Sequence, residues 1–438
     1  MAALVALVPA IVVYARPIRT APNYDEEVYL ATMRELRHGL AIGPVFLSQP
    51  PGWGWLLDGI GRTTSSVTDV RSVMIGFSLF ACVAAWTLGR RVGGPLGGAI
   101  AAGTLAIAPP WPAMATRLEA EVPSTSLAVC ALALAEPFPF AAGATLALAV
   151  SIKLYAVSAA VPLVLIARRR LGALALGAGV ATTAVVLSVA THLGDVWHDA
   201  FLYHLQERGH AGPVRENVNR VAHFFDARTP FAVVAAVAIG IAIVAFLLRR
   251  PWPINWALWT WPPAAAAVLI AQRPIFDHSL EVLAAAWALP IGVTLAAATA
   301  RATGRARLAI GAATVVTVAG ALVQQWSHLG PVPPNPDVRA AIQRLRALYP
   351  PGTLVASDRQ IIPYLAHDRE PPQLVDISAV RVRSGNLTTS ALLRDSRGAK
   401  AFVVGRALST DGPVRAALAH RYRRRIVFGS ITIYSDPR

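Results

Sequence analysis

Uninterrupted apolar stretches limit what this chain can become more than any other feature. Residues 73–88, 171–190, 231–248 and 309–323 contain no Asp, Glu, Lys or Arg, and each approaches the ~20 residues of helix that cross a hydrocarbon core. A chain with several such runs must satisfy its backbone polar groups within helices while shedding water, as a membrane bundle does. With 55% hydrophobic and only 15% charged residues, the chain is also more apolar than a soluble domain. The expected fold is a polytopic α-helical membrane protein.

The formal charge of +16 needs no nucleic-acid partner. Its arginines mostly flank apolar runs or lie in the tail, where orientation and anionic head groups account for them. Cys82 and Cys130 both fall in apolar runs, which suits packing and gives no disulfide or metal pattern. The first apolar run lacks a basic leader and a small-residue cleavage site, so no signal peptide is expected. It is too short for the core, which predicts a start upstream of Met1.

Arginine clusters set the expected topology: Arg90 and Arg91, Arg168 to Arg170, Arg249 and Arg250, then Arg301, Arg305 and Arg307. With these on the cytoplasmic side, the polar loops 16–68, 111–121, 191–228 and 272–278 fall on the opposite face, although Arg16 and Arg19 run against the scheme. Hydropathy allows about eleven crossings, and an odd number must fit within 122–167. Three short helices, broken near 136–139 and 152–155, fit there better than one.

After Val323 the character changes. Pro331, Pro333, Pro334 and Pro336 form a linker between a membrane domain over 1–328 and a small extracytoplasmic α/β domain over 329–438. Helices are expected at 338–348, 359–366, 387–394 and 414–420. Strands are expected at 353–357, 373–377 and 401–404, with a strand or hairpin at 426–434. No Gly-rich phosphate loop follows the first strand, which removes a Rossmann-type reading.

Polar groups at a membrane boundary are costly and therefore mark candidate sites. In the first outer loop, Asp25 and Tyr29 are four residues apart and share a helical face. Asn23 can cap that helix, with Asp25, Glu26 and Glu27 in its first turn. Capping alone accounts for Glu26 and Glu27 as well as function does, and for Asp25 less well. Downstream, Ser48-Gln49-Pro50-Pro51 precedes Trp53 and Trp55, whose rings suit an interfacial or re-entrant position, or simply an aromatic belt. Glu119 and Glu121 follow Arg117. Two residues apart, they would not share a helical face, so at most one should enter a common cavity. Lys153, one of two lysines in the chain, sits between apolar runs beside Tyr155, as a functional cation or as a snorkelling helix-end lysine. Arg273 suits a phosphate and His278 a leaving oxygen or a carboxylate. The histidines at 192, 198, 204, 210 and 223 have no compact zinc-ligand spacing. No metal site is assigned to them.

These parts suit chemistry on a lipid-linked phosphate: a carboxylate takes a proton from an acceptor hydroxyl while a cation stabilises a departing phosphate. The segments NYDEEVYLATMRELRHG and FLSQPPGWGWLL resemble the first outer loop of the GT-C superfamily of polyprenyl-phosphate-sugar-dependent glycosyltransferases. The branch in question contains the protein O-mannosyltransferases and the lipid A aminoarabinose transferase. ATRLEAEVPSTSLAVCALALA, SIKLYAVSAAVPLVLIARRR and RPIFDHSLEVLAAAWALP extend the resemblance. It implies that Asp25, with Glu26 beside it, is the catalytic base or acceptor-positioning carboxylate. Glu119 or Glu121 would match a second acidic position, Lys153 would lie near the donor phosphate, and Arg273 and His278 would form a late outer-loop pair. Tyr29, Gln49 and Tyr155 join these as substrate contacts. At Ser48-Gln49 the chain departs from relatives with a charged residue before the proline. The tail has no β-trefoil character, which removes support for a peptide acceptor.

The expected function is inverting sugar transfer, hexosyl or pentosyl, with mannose and arabinose as candidates. The donor would be a polyprenyl phosphate and the acceptor a cell-envelope glycan, lipid or protein at the outer face of the plasma membrane. No cofactor is required by the sequence, with a divalent cation the one candidate. The alternative is a transporter or flippase for a lipid-linked glycan. That should show inverted repeats and paired charges in central crossings, whereas here charges collect at one face.

Overall fold

The structure, a computed structural model, describes residues 10–208, 213–224, 230–247, 256–272, 275–329, 333 and 335–437. The chain forms two compact units that do not follow chain order. The first comprises residues 1–19, 71–185 and 212–331, and the second 20–70, 186–211 and 332–438.

The first unit is helical. Among the described residues, Val67–Ile107, Arg168–Ser188, Asp277–Arg301 and Gly304–Ser327 are long and apolar enough to cross a membrane. Val67–Ile107 is two helices, because Gly94 turns the backbone at φ 65° and Pro95 follows it. Only glycine adopts that conformation without steric cost. The stretch expected to hold three short helices does so, as Glu121–Leu134, Pro139–Ile152 and Leu154–Ile166. Pro139 opens the second, and Lys153, extended at φ −150° and ψ 127°, separates the second from the third. Phe231–Leu247 and Trp256–Ala271 are further short apolar helices.

Asp277–Arg301 is almost wholly buried, whereas Arg168–Ser188 and Gly304–Ser327 are mostly bare. Leu187 is 68% exposed and Val316 71%. Apolar side chains that far out of contact on long helices are surfaces for lipid, which makes this a multi-pass membrane protein. Helices pack closely where small residues meet. A Cβ on Gly143 would run into the Leu174 carbonyl, and one on Gly177 into that of Phe140. Backbone approach of this kind is how helices associate without a hydrophobic driving force.

The second unit carries a four-stranded sheet in the order β1-β2-β4-β3, with β1 Val355–Ser357, β2 Ala401–Val404, β3 Tyr422–Phe428 and β4 Ile431–Pro437. β1 runs parallel to β2, while β4 is antiparallel to β2 and to β3. Helices Pro336–Leu348, Ile361–Ala366, Thr389–Asp395 and Gly412–Arg421 match those expected, and 426–434 closes as the hairpin β3–β4. Phe402, Leu408, Leu418 and Tyr434 lie in its core.

The strand expected at 373–377 does not form. Pro371 and Pro372 lack the N–H groups a ladder needs, and Pro372–Leu374 is a 3-10 turn. Leu374 and Ile377 are fully buried, so their apolar signal came from the core rather than from a strand. The backbone there pairs elsewhere: Phe46 N–H donates to the Pro372 carbonyl at 3.0 Å.

Candidate functional site

In the membrane unit, three breaks in helical structure bring charged side chains together. Residues 115–120 form turns and irregular backbone before Glu121 opens its helix. Lys153 lies at the second break. His278 belongs to the 3-10 turn Asp277–Leu280, just ahead of Glu281–Arg301. Irregular backbone at membrane depth survives only where its polar groups find partners inside the protein. At the Lys153 break Ser124 supplies one, since its Oγ donates to the Ala149 carbonyl at 2.9 Å and to that of Lys153 at 3.3 Å.

Lys153 Nζ stands 3.0 Å from Glu121 Oε1. His278 faces two carboxylates, with Nδ1 3.5 Å from Glu119 Oε2 and Nε2 3.7 Å from Glu121 Oε1. Glu119 and Glu121 are each 1% exposed. Arg117 reaches the edge of the group, 4.0 Å from Glu119. Tyr155 adjoins it, with Lys153 Nζ 5.1 Å from its ring centroid and its hydroxyl 3.4 Å from Ser279 Oγ. The expectation that at most one of Glu119 and Glu121 enters a common space is therefore corrected. It assumed helix through both, whereas the turn before Glu121 swings Glu119 round to the other edge of the same imidazole.

Glu281 was not anticipated. It is fully buried, and neither carboxylate oxygen accepts a hydrogen bond among the described residues. It lies within electrostatic reach of Glu121 and Glu119. The signal available in the sequence was an acid three residues after His278 at the head of an apolar run.

In the second unit, helix Tyr24–Arg37 carries the other candidates. Asn23 Oδ1 accepts from Glu26 N–H at 2.9 Å, and Glu26 Oε2 accepts from Asn23 N–H at 3.2 Å. That capping box occupies Glu26 structurally. Asp25 is partly exposed in the first turn. Tyr29 is buried edge-on against the fully buried Trp53, centroids 5.0 Å apart, and Gln49 is 7% exposed. Trp53 is thus core of this unit.

The remaining acids of the helix are matched with partners remote in sequence. Glu27 meets Arg359 at 3.0 Å and Glu35 meets Arg369 at 2.7 Å. Tyr24 donates its hydroxyl to Asp376 at 2.7 Å. Arg34 donates to the carbonyls of Pro363, Tyr364 and Asp368 and lies 3.9 Å over the Tyr364 ring. Burial pushes the Glu27 carboxyl up to about 7 against the opposing pull of Arg359, and burial raises Asp368 to about 7 as well. His192, His198 and His204 each have a separate partner: Asp195, Asp199 and the Ser48 carbonyl. His223 meets the Asn219 carbonyl within the first unit. Arg273 and His210 lie outside the described residues.

No family model matches the chain, and no curated protein matches it. Solved structures do. ArnT from Cupriavidus metallidurans bound to undecaprenyl phosphate superposes with a TM-score of 0.68 at 14% identity, over 99% of both chains. Its apo form gives 0.70 at 13%, again over 99% of both. The Archaeoglobus fulgidus oligosaccharyltransferase complexed with Zn and sulfate gives 0.56 at 16%, over 96% of this chain and 69% of that one. At these identities the likeness is one of fold, and the chain shares its fold with ArnT and, over 69% of that chain, with the oligosaccharyltransferase.

Proposed function

We propose that the protein is a membrane glycosyltransferase that moves a sugar from a polyprenyl-phosphate donor to a hydroxyl of a cell-envelope glycan, lipid or protein. Transfer would take place at the outer face of the plasma membrane, with residues 329–438 on that side. The observation that carries this reading is the Lys153–Glu121–His278–Glu119 group, with both carboxylates buried, set in a fold shared with a protein solved with undecaprenyl phosphate.

In the proposed reaction Asp25 takes the proton of the acceptor hydroxyl as its oxygen attacks the anomeric carbon. The bond from that carbon to the phosphate oxygen breaks on the opposite side, so the configuration inverts. Lys153 stabilises the polyprenyl monophosphate that departs, and a fixed ammonium in a water-poor setting is worth far more to developing charge than one in water. Glu121, 3.0 Å from the Lys153 ammonium, supports this role by holding that side chain in place before donor binds. The support for Asp25 is its place in the NYDEE segment and its partial exposure in a first turn whose neighbour Glu26 is engaged in capping.

The Glu119 carboxylate and the His278 imidazole edge facing it form a donor pair that suits a divalent cation. Such an ion, when bound, would draw negative charge from the phosphate. Lys153, Glu121 and Asp25 act as described in either case.

The test is transfer by purified protein from radiolabelled polyprenyl-phosphate mannose and arabinose to an envelope acceptor. Label should pass from the lipid to the acceptor, and the product anomer should be opposite to that of the donor. Retained configuration, or no binding of polyprenyl phosphate, would overturn the reading.

A further inference from the structure

The helices that build the carboxylate and lysine group also build a second feature. Glu121–Leu134 starts at that group and leads past Leu132 to Glu136 in the turn that follows. The chain that breaks at Lys153 continues to Leu165 and Arg168. Helix Glu281–Arg301 passes Val293 on its way to Arg301. At 1.5 Å per residue these far positions lie roughly 20 Å along the bundle from the first group. A cavity of about 740 Å³ opens there, lined by Arg91, Glu136, Arg168 and Trp256, with Leu165 and Val293 among its apolar walls.

We infer that this cavity binds the phosphodiester head group of an anionic phospholipid from the leaflet opposite the proposed reaction. A space of this size matches small-molecule sites. Leu165 on its wall is 45% exposed, so an acyl chain can lie along the leucine and valine side of the cavity. Arg91 and Arg168 are both exposed, so their guanidinium groups can receive a phosphate oxygen in charge-assisted hydrogen bonds. Trp256 is 43% exposed beside them, in the manner of a ring at head-group level. Two guanidinium groups and one carboxylate leave the lining with a single net positive charge. That complements a lipid of one negative charge whose head group carries hydroxyls able to donate to Glu136, as in phosphatidylglycerol. A choline head group has no hydrogen to offer that carboxylate, and its lipid is net neutral.

The experiment uses the full chain in detergent after delipidation. Phosphatidylglycerol should raise the unfolding midpoint by a few degrees at saturation, phosphatidylcholine should not, and about one phosphatidylglycerol per chain should be retained in native mass spectrometry. Arg91→Gln/Arg168→Gln should abolish both effects. Arg301→Gln removes a charge from the same end of the bundle outside the cavity lining and should leave both unchanged. Equal stabilisation by the two lipids overturns the proposal, as does an undiminished response in the double variant. An equal loss in Arg301→Gln also overturns it, because the attraction would then belong to the basic surface as a whole.

Discussion

Glu35 and Glu121 are equally buried, at 0% and 1% exposure, yet they are held in different ways. Glu35 has an arrangement of its own: one oxygen takes Arg369 and the other accepts the Glu370 N–H at 3.1 Å. Glu121 shares its partners. Its Oε1 faces Lys153 and His278, His278 also faces Glu119, and Glu281 lies within electrostatic reach. A dedicated buried pair fixes one geometry. In the shared group, cations and carboxylates can be repartitioned when an anionic ligand arrives. Burial of charge therefore does not by itself single out the proposed site, which differs from Glu35 in sharing its partners.

That contrast can be sharpened by substitution. The largest effect is expected for Asp25→Asn, which should cut initial transfer rates by about 10²- to 10⁴-fold, the range for loss of a general base, with the thermal midpoint unmoved. Lys153→Ala should lower kcat by about 10²- to 10³-fold, more than it raises KM for donor. Glu35→Ala should instead cost stability, about 2 kcal/mol by denaturant titration, for a charged hydrogen-bonded pair with a partly exposed partner. Transfer per folded molecule should persist in that variant.

A smaller effect concerns pH. Glu27 and Asp368 ionise less readily in the folded chain than their ordinary values of 4.5 and 3.8. The folded state therefore holds more protons between those values and about 7, and stability falls as pH rises through that window. The thermal midpoint should drop from about pH 5 to about pH 8, and Glu27→Gln should flatten the slope. Smallest of all, Glu281→Gln should change stability by no more than about 1 kcal/mol, since its carboxylate accepts no hydrogen bond among the described residues.

The membrane bundle was legible because a bilayer imposes length and apolarity on every crossing. The three short helices of 122–167 could be read from the prolines near Glu136 and the polar break at Lys153. Most of the α/β tail was legible from alternation, while 373–377 misled because buried Leu374 and Ile377 imitate a strand that Pro371 and Pro372 forbid. The meeting of Glu119 and Glu121 at His278 was hidden, since it depends on the turn before Glu121 and no helical period reports it. The partners of Glu27 and Glu35 were equally hidden. Arg359 and Arg369 lie more than three hundred residues away in sequence, and only the folded unit brings them to that helix.

The most direct measurement sets Lys153→Ala beside Glu35→Ala in one sugar-transfer assay, each rate normalised to folded protein by size exclusion and melting. The account predicts that Lys153→Ala remains folded and loses transfer, while Glu35→Ala melts earlier and transfers sugar at the wild-type rate per folded molecule. The reverse pattern, with transfer surviving without Lys153 and vanishing in folded Glu35→Ala, would contradict it.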